Sequence, residues 1–321
     1  MRPRVLVTLK IPPEHLAPLD GVAEIDMSPH PLAAMPRAEA LEKARGCAGL
    51  ICQGELRIDD ELLDAAGPGL KIAANVAMGI DNLDREALAR RGVWATNTPD
   101  AFVESTADLT LGLILSTIRR IAEGDRFVRT GDWERTGFQP VRWEGALLGS
   151  LTLGLVGYGQ IAKAVRKRAE AFGMRTLHAR SRPDGAPECR ELPALLAEAD
   201  VVALHVPHTP ETHRLINAET LALMKPGAIL VNVARGKVVD ESALVAALQA
   251  GRLAGAGLDV FEAEPAVHPA LFAMENVVLT PHLGGSTVQD RRRGRLEAAE
   301  NVARVLRGEA PLTPVVTPAR S

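Results

Sequence analysis

The sequence predicts an α/β protein of two open, doubly wound parallel-sheet units. Three observations predict it. Short apolar runs alternate with amphipathic stretches along most of the chain, and such alternation implies parallel strands joined by crossover helices. One strand candidate, Leu151-Thr-Leu-Gly-Leu-Val156, runs straight into a glycine turn, Gly157-Tyr-Gly159-Gln-Ile-Ala162, and then a helical stretch. At 321 residues, 46% hydrophobic and 24% charged, the chain has ordinary globular composition and is long for one domain.

In the N-terminal third, residues 5–9, 49–52, 70–74 and 93–95 read as strands, and 39–45, 59–66 and 84–91 as helices. Residues 103–130 read as one long helical stretch, with Leu109, Leu111, Leu113, Ile114, Leu115 and Ile118 making an apolar surface suited to another domain or subunit. Residues 131–150 read as a loop broken by Gly and Pro that carries Trp133 and Trp143. The strand at 151–156 and a helix over 161–172, stopped by Gly173, lead to a strand at 174–179. Strands follow at 201–204, 228–233, 255–260 and 277–279, then a helix over 288–307 and a Pro-rich tail.

The glycine turn has the form G-x-G-x-x-G/A in its proper strand–turn–helix setting. Gly157 allows the tight turn, Gly159 lets bare backbone approach a pyrophosphate, and Ala162 permits close helix–strand packing. Unpaired N–H groups and the positive dipole end of the helix favour the phosphates. The second strand ends in Arg180-Ser181-Arg182, where NAD-binding folds usually carry Asp or Glu for the ribose. A carboxylate would repel a 2′-phosphate, whereas guanidiniums and a hydroxyl bind it through charge-assisted hydrogen bonds. NADP is therefore expected in preference to NAD. The alternative is an NAD site with two solvated arginines, in which Asp184 could serve the ribose.

A net charge of −3 gives no reason to expect nucleic acid. The cluster Arg291-Arg-Arg293 with Arg295 reads as a solvated helix face or a subunit contact. No apolar run approaches the length of a membrane span, and the N-terminus has too short an apolar core for a signal peptide. Cys47, Cys52 and Cys189 form neither a disulfide framework nor a zinc pattern, which suits a reducing cytoplasm. His205, His208 and His213 match no metal-ligand spacing, so no metal is expected; His178 reads as a packed or edge-strand histidine.

Three residues fall just past strands of the second unit, where open parallel sheets place ligands. They are Arg235 in Val231-Asn-Val-Ala-Arg235-Gly236, Glu264 in Asp259-Val-Phe-Glu-Ala-Glu264-Pro265, and His282 in Leu279-Thr-Pro-His282-Leu-Gly-Gly285. Each has a bland alternative: a surface ion pair, a turn cap, a satisfied loop histidine. Together, downstream of a dinucleotide turn, they suit oxidation of a 2-hydroxy acid or reduction of the 2-keto acid. A nicotinamide carries the hydride, a histidine oriented by a carboxylate moves the proton, and an arginine fork holds the substrate carboxylate.

The sequence resembles the D-isomer-specific 2-hydroxyacid dehydrogenases over nearly its whole length. Met78-Gly-Ile-Asp-Asn82, Thr96-Asn-Thr-Pro99, Gly157-Tyr-Gly-Gln-Ile161, Asn232-Val-Ala-Arg-Gly236, Gly257-Leu-Asp-Val-Phe-Glu262 with Glu264-Pro265, and Pro281-His-Leu-Gly-Gly285 carry the likeness. It implies Arg235, Glu264 and His282 as the catalytic set. It implies cofactor contacts from Gly157, Gly159, Gln160, Ile161, Arg180, Ser181, Arg182, Pro207, Thr212, Val233, Asp259, His282 and Gly284, with Asp259 on the nicotinamide carboxamide. Substrate contacts would come from Val76, Met78, Gly79 and Arg235. The resemblance also implies a Rossmann cofactor domain, 102–287, inserted into a flavodoxin-like substrate domain, 1–101 with 288–321, and a homodimer through the long helix near Val103. Arg180 and the segments Asp132-Trp133 and Ala179-Arg-Ser-Arg182 look like the glyoxylate/hydroxypyruvate and 2-ketogluconate reductase branch. Glu264 argues against formate dehydrogenases. A phosphite dehydrogenase-like enzyme and a cofactor-sensing corepressor-like binding protein are the alternatives.

Overall fold

The computed structural model describes residues 1–318; positions 319–321 of the expected C-terminal segment lie outside the described residues. The chain divides into two compact units, Met1–Phe102 with the chain from Ser286 on, and Val103–Gly285.

The first unit opens with β1 (Arg4–Val7), β2 (Glu24–Met27), α1 (Arg37–Ala44), β3 (Gly49–Cys52), α2 (Asp60–Ala66), β4 (Ile72–Asn75), α3 (Arg85–Arg90) and β5 (Trp94–Thr96). β3 and β4 are buried along their length, as central parallel strands covered on both faces must be. Asp59 and Asp84 start α2 and α3 by accepting from Leu62 N (3.2 Å) and Ala87 N (2.9 Å). Sequence pattern missed β2, whose Glu-Ile-Asp-Met run is a half-exposed edge strand with little apolar signal.

In the second unit the apolar run from residue 103 is α4 (Val103–Ile118) followed by α5 (Ile121–Arg129), rather than the single helix expected. Arg120 breaks it by adopting a left-handed conformation (φ 52°). Its guanidinium reaches Glu123 at 2.6 Å through both Nε and Nη2, and that carboxylate is buried. The expected loop 131–150 contains α6 (Asp132–Thr136) and two short 3₁₀ turns. Then come β6 (Thr152–Val156), α7 (Gln160–Ala171), β7 (Arg175–Ala179), α8 (Leu192–Glu198), β8 (Val201–Leu204), α9 (Ala218–Leu223), β9 (Ala228–Asn232), α10 (Glu241–Gln249), β10 (Leu253–Leu258) and β11 (Val277–Leu279). The sheet is entirely parallel, ordered β11-β10-β9-β8-β6-β7. Strand order reverses between β6 and β8, the topological switch point at which open α/β sheets bind ligands.

Returning to the first unit, α11 (Val288–Leu306) lays Ala298, Ala299, Val302 and Ala303 against Val5, Val7, Ile51 and Ile72. The Pro-rich tail adds β12 (Pro314–Val316), antiparallel to β5. Pro314 is tolerable there because an edge strand can lack a donor. The resulting order, β12-β5-β4-β3-β1-β2, has its own switch point between β1 and β3.

Candidate active site

The glycine turn leaves β6 with Gly157 at φ 91°. A Cβ there would stand 2.6 Å from the His205 carbonyl oxygen, so only glycine lets the turn meet the end of β8. At Gly159 a Cβ would meet nothing within 4 Å: the turn opens onto free space at the N-terminus of α7. Gly159 offers no side-chain cap, and the first turn of α7 has no acidic residue. The N–H groups of a helix's first turn have no intrahelical acceptor and suit an anion, and these residues fit a dinucleotide pyrophosphate. Ala162 is fully buried, as close helix–strand packing requires.

β7 ends at Ala179, and Arg180, Ser181 and Arg182 follow it on the surface. Asp184 does not stand free for a ribose. It accepts from His178 Nε2 (2.9 Å) and Ala186 N (3.1 Å), and Arg180 Nη1 approaches at 3.4 Å. The Ala186 N–H, with His178 and Arg180, outweighs the cost of desolvation and pulls the Asp184 carboxyl down to about 2. His178 is buried on the edge strand, stacked on the Tyr158 ring at 3.7 Å. Cys189 joins His178 and Asp184 with ligand-type atoms within 4.8 Å of one another. Pro207 and Thr212 form one turn, in which Thr212 Oγ1 donates to the Pro207 carbonyl at 2.6 Å. His208 and His213 hydrogen-bond each other at 3.2 Å, while both ring nitrogens of His205 are buried with no partner.

Arg235, Glu264 and His282 follow β9, β10 and β11, three neighbouring strands of one sheet. His282 Nδ1 donates to Glu264 Oε2 at 2.8 Å, leaving Nε2 as the ring's other face. Glu264 also caps its own turn, accepting from Phe261 N at 2.9 Å. Burial raises the Glu264 pKa, but the bonds from His282 and Phe261 and the charges of His282 and Arg235 prevail, and the carboxyl sits below its usual value. Arg235 Nη1 donates to the Ala234 carbonyl at 2.7 Å. A Cβ at the adjacent Gly236 would fall 1.8 Å from the Phe261 carbonyl carbon, so the backbone beyond β9 lies directly against the segment carrying Glu264.

Asp259 is 1% exposed and faces the His282 loop. It accepts from Thr280 Oγ1 (2.5 Å), Leu283 N (2.7 Å) and Gly284 N (2.9 Å). Burial pushes its carboxyl above the ordinary value against the pull of these donors. Its own carbonyl accepts from His282 N at 2.9 Å. Asp259 thus grips the chain on both sides of a histidine held at φ 55°. Sequence pattern missed Thr280 and Asn232. Asn232 accepts from Ala234 N and donates to the Arg235 carbonyl, both at 3.0 Å, and so folds the turn that presents Arg235. Asparagine at a strand end is the signal that marks such a turn. Val233 and Gly284 are buried beside these groups.

In the first unit, residues 76–79 follow β4. Their carbonyls are taken inward: Ala77 by Thr98 N (3.0 Å), Met78 by Asn97 Nδ2 (2.8 Å) and Gly79 by Asn75 Nδ2 (2.9 Å). Val76 is buried, and Met78 and Gly79 are partly exposed. Asn75 and Asn97, unremarked in the sequence, fix this loop.

The comparisons identify the family. The model for the D-isomer specific 2-hydroxyacid dehydrogenase NAD binding domain matches residues 111–284. Curated glyoxylate reductases of Thermococcus onnurineus and Pyrococcus furiosus are 46% and 44% identical, each over 98% of this chain and 96% and 95% of their own lengths. Among solved structures, the TT0316 protein of Thermus thermophilus has a TM-score of 0.91 at 46% identity, covering 98% of this chain and all of its own. An NADPH-dependent glyoxylate/hydroxypyruvate reductase of Sinorhizobium meliloti, in complex with NADP and malonate, has a TM-score of 0.87 at 35% identity over the whole of both chains. The chain belongs to the D-isomer-specific 2-hydroxyacid dehydrogenases and is an oxidoreductase that uses a nicotinamide cofactor.

Proposed function

We propose that this protein is an NADPH-preferring reductase of small 2-keto acids, glyoxylate and hydroxypyruvate foremost. The observation that carries the reading is the His282–Glu264 hydrogen bond, set beyond the same sheet edge as Arg235. When bound, the nicotinamide supplies the hydride for the keto carbon. His282 Nε2 delivers the proton to the keto oxygen in reduction and takes it back in oxidation. Glu264 holds the Nδ1 proton, fixing the tautomer and stabilising the imidazolium. Arg235 grips the substrate carboxylate and polarises the carbonyl. Gly157, Gly159, Gln160 and Ile161 take the pyrophosphate, with Pro207, Thr212, Val233 and Gly284 lining the cofactor cleft. Asp259, beyond holding the His282 loop, has one remaining acceptor position for the carboxamide.

Arg180, Ser181 and Arg182 support NADP over NAD, since all three are exposed after β7 and two are cationic. We read the first unit as the substrate domain: the carbonyls of residues 77–79 turn inward and leave the N–H groups of that stretch for a substrate carboxylate, whereas the expected Val76 N–H is taken by the Cys52 carbonyl at 2.7 Å. Exposed Ile121, Val128, Trp133, Phe138, Val141 and Leu147, close together in the chain after α4, support a homodimer. No helix among the described residues is long and apolar enough to cross a membrane, and sparse free cysteines support a cytoplasmic setting.

The test follows the absorbance of reduced nicotinamide with glyoxylate and hydroxypyruvate, giving NADPH and NADH separately. Turnover favouring NADPH, abolished in His282→Ala, is expected. Turnover with NADH alone overturns the cofactor assignment, and full activity in His282→Ala overturns the mechanism.

A further inference from the structure

One carboxylate braces the loop that carries Glu264. After β10 the chain turns back on itself over residues 261–268, with Glu264 and Pro265 at the tip and an isolated antiparallel bridge pairing Ala263 with Ala266. Residues 263–266 are exposed. Within this hairpin the only main-chain hydrogen bond among the described residues runs from Ala266 N to the Ala263 carbonyl, at 3.0 Å. A segment with so little burial and so few internal bonds opens readily when left to itself. Yet its tip holds Glu264 where His282 Nδ1 donates to it at 2.8 Å.

Glu241 supplies what the hairpin lacks. It is the first residue of α10, and Asp240 before it already caps that helix by accepting from Ala243 N at 3.0 Å. The Glu241 carboxylate therefore reaches outward. Its Oε2 accepts from Glu262 N at 3.0 Å and its Oε1 from His268 N at 2.7 Å, so one oxygen holds each leg of the hairpin through a charge-assisted bond. Glu262 Oε2 accepts in return from Glu241 N at 3.4 Å, while Oε1 accepts from Arg214 Nη2 at 2.7 Å. Arg214 also lies 3.6 Å from Asp240 Oδ2, so one guanidinium offsets the repulsion between these two acids. That exposed ion pair fixes little by itself. The brace is the Glu241 carboxylate, and all of these residues belong to the second unit.

We propose that Glu241 is a positioning residue for the acid–base pair: its carboxylate clamps both legs of the hairpin and so keeps Glu264 on His282. The effect on turnover rests on the reductase reading; the effect on the hairpin does not.

Two measurements on the full chain test it. Glu241→Ala removes both acceptors, whereas Glu241→Asp keeps both on a shorter arm. In the first measurement, amide hydrogen exchange is followed by mass spectrometry. Exchange over residues 262–268 should rise about ten-fold in Glu241→Ala, while peptides from β9 and β10 exchange as in wild type. In the second, initial rates are taken with glyoxylate and NADPH. Glu241→Ala should lower kcat about ten-fold and leave KM for NADPH within about two-fold, and Glu241→Asp should recover part of kcat. Because Glu241 acts through Glu264, the same alanine change made in Glu264→Gln should cost less than about two-fold more. An equal loss in both backgrounds, or full kcat with a loosened hairpin, overturns the proposal. So does a hairpin that stays protected without Glu241. Should Glu241→Ala also loosen β9 and β10, Glu241→Gln, whose amide oxygen can hold one leg only, takes its place in both measurements. If no keto acid turns over in wild type but Glu241→Ala loosens the hairpin alone, the clamp stands and the reductase reading falls.

Discussion

The buried, unpartnered ring of His205 should make the protein acid-sensitive in a way one substitution can isolate. Its N–H anchors the glycine turn, donating to the Val156 carbonyl at 2.7 Å, while its imidazole has no partner at either nitrogen. Desolvation alone lowers its pKa from 6.5 to about 4. The unfolded chain then binds more protons than the folded one between those values, so stability falls as pH drops through that window and is unaffected above it. The full effect is about 3.5 kcal/mol, at about 1.4 kcal/mol for each of roughly 2.5 pH units, and about 2 kcal/mol of it is lost between about pH 7.5 and about pH 5. His205→Leu keeps the bulk and cannot titrate. Urea unfolding at the two pH values should show wild type losing about 2 kcal/mol more than the variant. Histidine ring resonances, assigned by their absence in His205→Leu, give the midpoint directly. A midpoint above about 6, or equal acid sensitivity in both proteins, would refute the reasoning.

Three further outcomes follow from the site. Gly236→Ala places a methyl 1.8 Å from the Phe261 carbonyl carbon. It should cost about 3 kcal/mol in chemical unfolding and lower kcat by separating Arg235 from Glu264. Asp259→Asn turns an acceptor into a donor facing Leu283 N or Gly284 N, which should cost about 1–3 kcal/mol; kcat should fall more than cofactor affinity, as a merely carboxamide-binding role would not allow. Arg180→Ala and Arg182→Ala should each raise KM for NADPH about ten-fold with little change for NADH, read from initial rates. Equal effects on both cofactors would move the arginines out of the 2′-phosphate site.

The fold was legible where burial wrote it. β3 and β8, buried along their length, carry apolar residues in unbroken runs and lie at the positions read from sequence, 49–52 and 201–204; the edge strand β11 was found at 277–279 from its Val-Val-Leu run alone. β2 and β12 were not legible, because edge strands need no apolar signature. The break at Arg120 was hidden in a run that fits one helix, since a tertiary contact to buried Glu123 decides it. At the proposed site, Arg235, Glu264 and His282 could be picked out as candidates because they follow strand ends beside Gly and Pro. Their supports could not. Thr280, Asn232, Asn75 and Asn97 act through main-chain bonds that no spacing rule announces. The pairing of Asp184 with buried His178 and with exposed Arg180 was equally invisible.

Among the described residues, three other than glycine hold left-handed backbone: Arg120, Arg214 and His282. In each the side chain is tied by a carboxylate, Glu123 for Arg120, Glu262 for Arg214 and Glu264 for His282. Left-handed geometry costs a residue with a Cβ roughly 1–2 kcal/mol, and a charged hydrogen bond returns about as much. At His282 the Asp259 grip adds main-chain bonds on both sides, so the ring is aimed by bonds that also hold the strained backbone. This separates strain from chemistry experimentally. His282→Ala loses the Glu264 tether and keeps the strained Cβ, whereas His282→Gly loses the tether and the strain together. Both should be inactive, yet His282→Gly should be the more stable by about 1 kcal/mol in urea, reversing the usual order of glycine and alanine. An alanine variant as stable as the glycine one would mean the loop relaxes once the ring is gone, and that His282, rather than Asp259, imposes the conformation.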